Sequence, residues 1–295
     1  MKQKIKEEIY RCIFAVLAFS SLVFLVGITL TLLTQGLPLF REVSFMNFLA
    51  GTDWYPTYDP PDFGALPLIA SSAFVTLGAM FVCVPLGIGS ALYMNEIAGY
   101  RQKSFLKPLV EILAGIPSVI YGFFGMVAVA PLIQRIFNLP TGLTALTGSL
   151  VLGIMATPTV ASLAEDALSF VPNSFREASL AVGANRWQTL VKVVMPSAGS
   201  GISTAVILGI SRAIGETMTV LMVTGGSAVI PRSFFQPVRP MTSTIASEMG
   251  EAVFGQLHYN SLFALGLVLF FTTLFFNIIA EYISSRYRLK LGMGR

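Results

Sequence analysis

Charge is scarce in this chain. Only 12% of its residues are Asp, Glu, Lys or Arg, about half the share of an average soluble domain. So few ionised groups could not cover a surface that meets water on all sides, which excludes a soluble globular fold. Disorder is excluded as well, because it needs low hydrophobicity and high charge, whereas 54% of these residues are hydrophobic. Histidine is scarcer still: the single His258 rules out a histidine-based metal site. Two cysteines, Cys12 and Cys83, are too few for a disulfide framework or a metal cluster, and both lie in apolar stretches that suggest buried, inert thiols. No cofactor or metal is expected.

Long apolar runs are plentiful instead. A hydrocarbon core about 30 Å thick takes roughly 20 apolar helical residues to cross. Six stretches are long enough: 13–33, 66–93, 109–133, 143–164, 201–223 and 262–283. The first carries no charge, exceeds the apolar region of a signal peptide and precedes no small-residue cleavage site, so it is expected to be a retained helix. The expectation is an all-α membrane protein with six transmembrane helices. Pro67, Pro85, Pro117, Pro131 and Pro158, with Gly209 and Gly215, fall within or beside the spans. They serve either close helix packing or kinks along a path that opens and closes.

Cytoplasmic loops collect Lys and Arg, so their placement sets the direction. With the N-terminus inside, the inner segments hold Lys2, Lys4, Lys6 and Arg11; Arg101, Lys103 and Lys107; Arg176, Arg186 and Lys192; Arg286, Arg288, Lys290 and Arg295. The outer segments hold only Arg41, Arg135, Arg232 and Arg239. Both termini are therefore expected in the cytoplasm. Segments 34–65 and 224–261 then lie outside and 165–200 inside, all within one domain over 1–295. Trp54, Tyr55 and Tyr58 in the first outer loop could belong to an interfacial aromatic belt. The stretch Met241–Phe254 in the second could lie on the membrane or fold back into the bundle. The outer acids Glu42, Asp53, Asp59, Asp62, Glu248 and Glu251 outnumber the outer arginines, which gives an anion no long-range attraction.

The inner segment 173–196 has its own pattern. A helix is expected to start at Asn173 or Ser174, with Glu177 at capping-box spacing from Ser174. Gly183 fits a helix C-terminus. A second short helix, from about 185 to 194, is expected to stop before Pro196. Two short helices joined by a glycine make a compact knob, with Phe175, Ala178, Leu180 and Val182 for apolar contact. The spacing Glu177-Ala178-Ser179, three residues, Gly183, nine residues, Val193-x-Met195-Pro196 resembles the E-A-A, G, I-x-L-P loop of ABC importer permeases. Ser179, Val193 and Met195 depart mildly from that pattern. The resemblance implies a type I importer bundle of the MetI-like kind. It also implies that 174–195 is a coupling helix docking into an ATP-hydrolysing partner, through Glu177, Ala178, Ser179, Gly183 and Pro196.

Three acidic or basic residues fall inside the expected spans, away from the last turn: Glu111, Arg212 and Glu216. Glu111 follows Pro108 closely and suits a solvated helix start. Arg212 and Glu216 are expected near mid-membrane, at i, i+4 on one helix face with Gly209 and Thr219 on the same stripe. They make either a structural ion pair or a substrate path, for which the planar Arg fork suits an oxyanion. Ser211-Arg212-Ala213-Ile214-Gly215-Glu216-Thr217-Met218 is similar to the RAxGET signature of phosphate ABC permeases. Met218, and Asp62-Phe63-Gly64-Ala65-Leu66-Pro67 before the second span, look like the PstC type of that family.

The resemblance implies a permease in the inner membrane of a bacterium or archaeon that imports inorganic phosphate by alternating access. Its implied partners are a second permease of PstA type, two copies of a PstB-type ATPase and an extracytoplasmic PstS-type phosphate-binding protein. Arg212, Glu216 and Thr219 would line the pathway. No GxxxxGK[ST] stretch occurs in the sequence, so the subunit is expected to be non-catalytic. Another oxyanion, molybdate or sulfate, is the alternative solute. A secondary transporter or channel would have no use for the knob, an intramembrane enzyme lacks the groups for it, and the scattered basic residues do not suit nucleic acid.

Overall fold

The computed structural model describes residues 2–290. Arg295 lies outside the described residues. So do the side chains of Lys2, Lys4, Lys6, Arg286, Arg288 and Lys290, and the count of basic residues at the termini rests on sequence.

Helix α1 (Lys2–Gly36) runs through a 3-10 turn at Leu37–Arg41 to a short α2 (Phe45–Ala50), then a small antiparallel hairpin of β1 (Trp54–Tyr55) and β2 (Asp62–Phe63). Next come α3 (Leu66–Leu92), extended by a π-turn at Tyr93–Ile97, then α4 (Tyr100–Ala114), and α5 (Ser118–Phe124), joined by a π-turn at Gly125–Val129 to α6 (Ala130–Phe137). Helix α7 (Ala145–Ser169) precedes α8 (Asn173–Ala181) and α9 (Arg186–Thr189). A π-turn at Leu190–Val194 leads to α10 (Met195–Ser197), α11 (Gly199–Ile214), α12 (Met218–Val223), α13 (Met241–Glu248) and α14 (Leu257–Lys290).

Among the described residues, five helices are long and apolar enough to cross a membrane alone: Tyr10–Arg41, Leu66–Ile97, Ser118–Phe137, Ala145–Ser169 and Leu257–Ile283. The pair Arg186–Ser197 and Gly199–Ile214, bent by 68°, meets the same criterion when taken together.

At the centre α3, α7 and α11 pack through Val75, Ala79 and Cys83, Leu152, Ala156 and Val160, and Ala213. Lipid supplies little hydrophobic drive between helices, so close approach through small residues matters. A Cβ on Gly209 would fall 2.6 Å from a Val160 methyl, and one on Gly153 would fall 2.8 Å from the Ala79 carbonyl. Gly209 therefore serves packing. Cys83 is buried as expected, whereas Cys12 is exposed on α1, whose apolar residues face outward along most of its length.

Several expectations need correction. The third span begins at Ser118, not 109. Ile116 precedes Pro117, which disfavours helical backbone there, and Pro117 becomes the extended residue that starts α5. Glu111 thus sits exposed on a separate helix, α4, outside any span. Segment 34–65 is a folded cap: Leu39, Phe48, Trp54 and Phe63 are buried against Leu68, Met241, Leu262 and Leu265. Trp54 belongs to no aromatic belt, while Tyr55 and Tyr58 are exposed and stack on each other. Of the two placements open for the stretch after Pro240, the structure takes the second: it folds back into the bundle as α13, burying Met241, Thr242, Ser243 and Thr244.

Candidate functional site

The fifth expected span is broken where its charges lie. Helix α11 ends at Ile214 with Gly215 as its last half-helical residue, and α12 starts only at Met218. Arg212 and Glu216 therefore share no helix face, and the stripe with Gly209 and Thr219 does not exist. The cause is local. The Glu216 side chain caps the second helix: its Oε1 accepts from the Thr219 backbone N–H at 3.3 Å. Its backbone carbonyl accepts from the Thr242 hydroxyl at 2.7 Å, so α13 holds the break from the other side. Gly-x-Thr, a helix ender followed by a capping residue type, is the sequence signal that could have shown this.

Among the described residues no ion pair joins Arg212 to Glu216. Arg212 is exposed in this single chain and donates from Nη1 to Thr159 Oγ1 at 2.8 Å. Thr159 lies near the middle of the 25-residue α7, so the guanidinium stands at mid-height of the bundle. Glu216 is half-buried beside it in the chain. Thr219 is fully buried, and its hydroxyl donates to the Ser118 carbonyl at 3.0 Å, which ties α12 to the start of α5.

The knob forms at one end of the bundle. Helix α8 starts two residues earlier than a Ser174 cap requires. Pro172 occupies the cap position and no side chain caps the helix, so the expected Ser174–Glu177 box is absent. Gly183 has φ +86°, the left-handed conformation that glycine adopts without strain. It lets the Ala184 N–H reach the Ser179 carbonyl at 3.2 Å, closing α8. Asn185 and Gln188 then form a capping box, with bonds of 2.8 and 2.9 Å, that starts α9. The second arm does not stop before Pro196. The π-turn at Leu190–Val194 widens the helix and carries it through to Ser197, because the wider turn absorbs the N–H that proline lacks.

Of the five knob residues singled out, Glu177, Ala178, Gly183 and Pro196 are exposed and Ser179 is buried. The Ser179 and Thr189 hydroxyls meet at 2.9 Å and pin the two arms together. Phe175 and Leu180 point outward, and Val182 and Trp187 are 85% and 70% exposed. These side chains are available to a partner and do not hold the knob itself together.

Two polar clusters escaped the sequence reading. At the knob end, Glu165 is 1% exposed and pairs with Lys103 and Lys107 at 2.6 and 2.7 Å. Hydrogen bonds to Asp166 and then Glu165 raise the Lys107 ammonium above its usual range. The apolar run stops at 164 and puts residue 165 in the inner segment, although α7 runs on to Ser169 and the carboxylate faces α4. At the opposite end, Glu248 on α13 accepts from Arg239 Nη1 at 2.6 Å and Trp54 Nε1 at 3.1 Å, and lies 3.0 Å from His258 Nε2.

Apolar crossing helices, a mid-height arginine in a broken helix and an outlying two-helix knob together define a polytopic membrane protein of the permease kind. The comparisons with known proteins agree. The chain belongs to the family described as binding-protein-dependent transport system inner membrane component, whose profile matches residues 83–289. It is 41% identical to a probable ABC transporter permease protein, YqgH, of Bacillus subtilis, over 88% of this chain and 85% of that one. It is 34% identical to the phosphate transport system permease protein PstC of Mesorhizobium japonicum, over 92% and 88% of the two chains. Among solved structures, a chain of a bacterial alginate ABC transporter, in complex with an alginate-pentasaccharide-bound periplasmic protein, superposes with a TM-score of 0.64. That match covers 93% of this chain and 94% of the other at 13% identity, a likeness of fold alone.

Proposed function

We propose that this chain is the PstC-type permease subunit of an ATP-driven importer of inorganic phosphate and supplies half of the pathway by alternating access. The phosphate permeases among its relatives support the solute. The observation that carries the pathway is Arg212. A guanidinium facing lipid at the bilayer centre costs roughly 2.5–3.5 kcal/mol even on the lowest scales. Arg212 is nevertheless exposed at mid-height. Its exposed face must therefore meet water or a second protein chain. A pathway between this subunit and a PstA-type companion supplies both.

Arg212 would hold the anionic oxygens of phosphate through its paired donors. Glu216 uses Oε1 to cap α12 and keeps a second oxygen. Phosphate near neutral pH retains a P–OH, which that oxygen can accept, whereas sulfate has none and would set oxyanion against carboxylate. Thr219 supports the pair by donating its backbone N–H to Glu216. The knob, with exposed Glu177 and Ala178 and outward Val182 and Trp187, would dock into a dimer of PstB-type ATPases in the cytoplasm. The opposite face, capped by 34–65 and 224–261, would meet a PstS-type binding protein, and the whole would sit in the inner membrane of the cell.

The test is uptake of phosphate and of sulfate into vesicles carrying this chain with its co-expressed partners. Arg212→Gln should abolish phosphate uptake with the complex intact, and Glu216→Gln should narrow the preference for phosphate over sulfate. Unimpaired uptake by Arg212→Gln would return that residue to a structural role. Unchanged selectivity in Glu216→Gln would remove the proton-acceptor role of the carboxylate.

A further inference from the structure

Helix α4 is held to the bundle in an unusual way. It buries no residue of its own, so apolar packing attaches it weakly. Polar ties take over. Lys103 and Lys107 project from α4 onto Glu165, and Lys107 also reaches Asp166 at 2.7 Å. Ser169, one turn beyond Glu165, lies 2.7 Å from Glu165 Oε1 and 3.0 Å from Asn95 Oδ1. Asn95 donates to Glu96 at 2.9 Å, and Glu96 pairs with Arg176 of the knob at 2.7 Å. Arg176 donates further to the Val171 and Leu168 carbonyls at the end of α7. One connected set of charged and polar side chains thus joins α4, α7, the π-turn after α3 and the knob.

The other end of α4 leads to the broken helix. Tyr121 of α5 donates its hydroxyl to the Leu113 carbonyl at 3.0 Å, across the Gly115–Pro117 break. Ser118, the first residue of α5, accepts from Thr219 at 3.0 Å, and Thr219 in turn donates to Glu216. The knob therefore reaches residues 212–219 by two routes. One is covalent, through α9, α10 and α11. The other runs through α4 and depends on Lys103 and Lys107: both reach the buried Glu165, Lys103 also donates to Asn95 at 3.3 Å, and Lys107 to Asp166.

We propose that Glu165, held between Lys103 and Lys107, clamps α4 to the coupling knob, so that knob movement is delivered to the break at 215–217 through α4 as well as through α11. Glu165, Lys103 and Lys107 are positioning residues for transport. None of them touches the solute, and removing the clamp leaves the ATPase docking surface untouched. The proposal rests on the permease reading for what the movement achieves.

The experiment uses the assembled transporter in lipid nanodiscs, with Cys12 and Cys83 replaced by Ala and spin labels placed at exposed positions. One label pair joins Arg101 on α4 to Ser174 on the knob, and a second joins Arg101 to Tyr58 on the opposite face. With the clamp intact, trapping the ATPase in its closed state with ATP and vanadate should change the 101–58 distance and leave the 101–174 distance fixed. In Lys103→Met/Lys107→Met, or in the shape-conserving Glu165→Gln, the 101–174 distance should change on trapping. Phosphate imported per ATP hydrolysed should then fall by about tenfold, within the range of coupling effects. The Lys103→Arg/Lys107→Arg variant should retain the fixed distance and the normal ratio.

A fixed 101–174 distance with an unaltered ratio in the Met pair or in Glu165→Gln would overturn the proposal. So would an uncoupled Arg pair, the variant to read if the Met pair does not assemble. The distances need no solute. If the wild type imports no phosphate, the functional reading fails while the clamp is still decided by the distances.

Discussion

Ser179 and Thr189 meet between the two arms of the knob, both buried and each satisfying the other. The resembled family pattern has alanine where this chain has Ser179, so the hydroxyl is an addition that Thr189 answers. Removing one member alone leaves the other buried without a partner, at about 1–3 kcal/mol, whereas removing both is close to neutral. Ser179→Ala should therefore loosen the knob, and Ser179→Ala/Thr189→Val should recover most of the loss. Amide hydrogen exchange across 179–190 measures this. Equal protection in the single and double variants would contradict it. At this scale the sequence was legible where a residue acts on its own backbone neighbours: Gly183 takes the left-handed conformation its position suggested. It was illegible where the partner is distant in the chain. Nothing near Glu165 in sequence announces Lys103 and Lys107, and nothing near Glu248 announces Trp54.

Helix α13 is tied at both ends. Glu248, at its last turn, gathers Arg239, Trp54 and His258, while Thr242, at its first, bonds the Glu216 carbonyl. Eight residues thus connect the folded cap at one face of the bundle to the break at mid-height. Glu248→Ala strands Arg239 and the Trp54 indole in a partly buried site, which costs more than a surface pair would. The expected outcome is faster proteolysis between 241 and 256 and a red-shifted Trp54 emission, with α3, α7 and α11 still protected. Unchanged cleavage would mean that apolar burial of Met241 alone holds the element. Long apolar runs marked the crossing helices, because each must satisfy its own backbone in lipid, although their ends missed by several residues, as at 33 against Arg41 and 164 against Ser169. They failed at 109–117 and 215–217, where an apolar run continues while the backbone breaks. There Ile116-Pro117 and Gly215-Glu216-Thr217 decide the structure by local sterics and capping, which average hydrophobicity does not record.

Across the whole molecule, the outward surface is largely apolar. On α1, α5 and the turn before α6, residues such as Phe14, Phe24, Phe123 and Val127 are exposed, and on α3 Phe81 is 85% exposed. Lipid covers such residues at no cost, but it cannot cover Arg212. On the proposed function the surface divides into a lipid face and a face closed against a second chain, with Arg212 on the latter. Alternating access adds that the second face is wet in one nucleotide state and sealed in the other, because one site is presented to the two sides in turn. With Cys12 and Cys83 replaced by Ala, Arg212→Cys in the assembled complex should react with a small charged thiol reagent. Its rate should differ between the nucleotide-free and vanadate-trapped states, while Phe81→Cys stays unreactive in both. Equal reactivity at the two positions would place Arg212 on an ordinary exposed face. Silence at Arg212→Cys in both states would close the pathway there and move it to another part of the bundle.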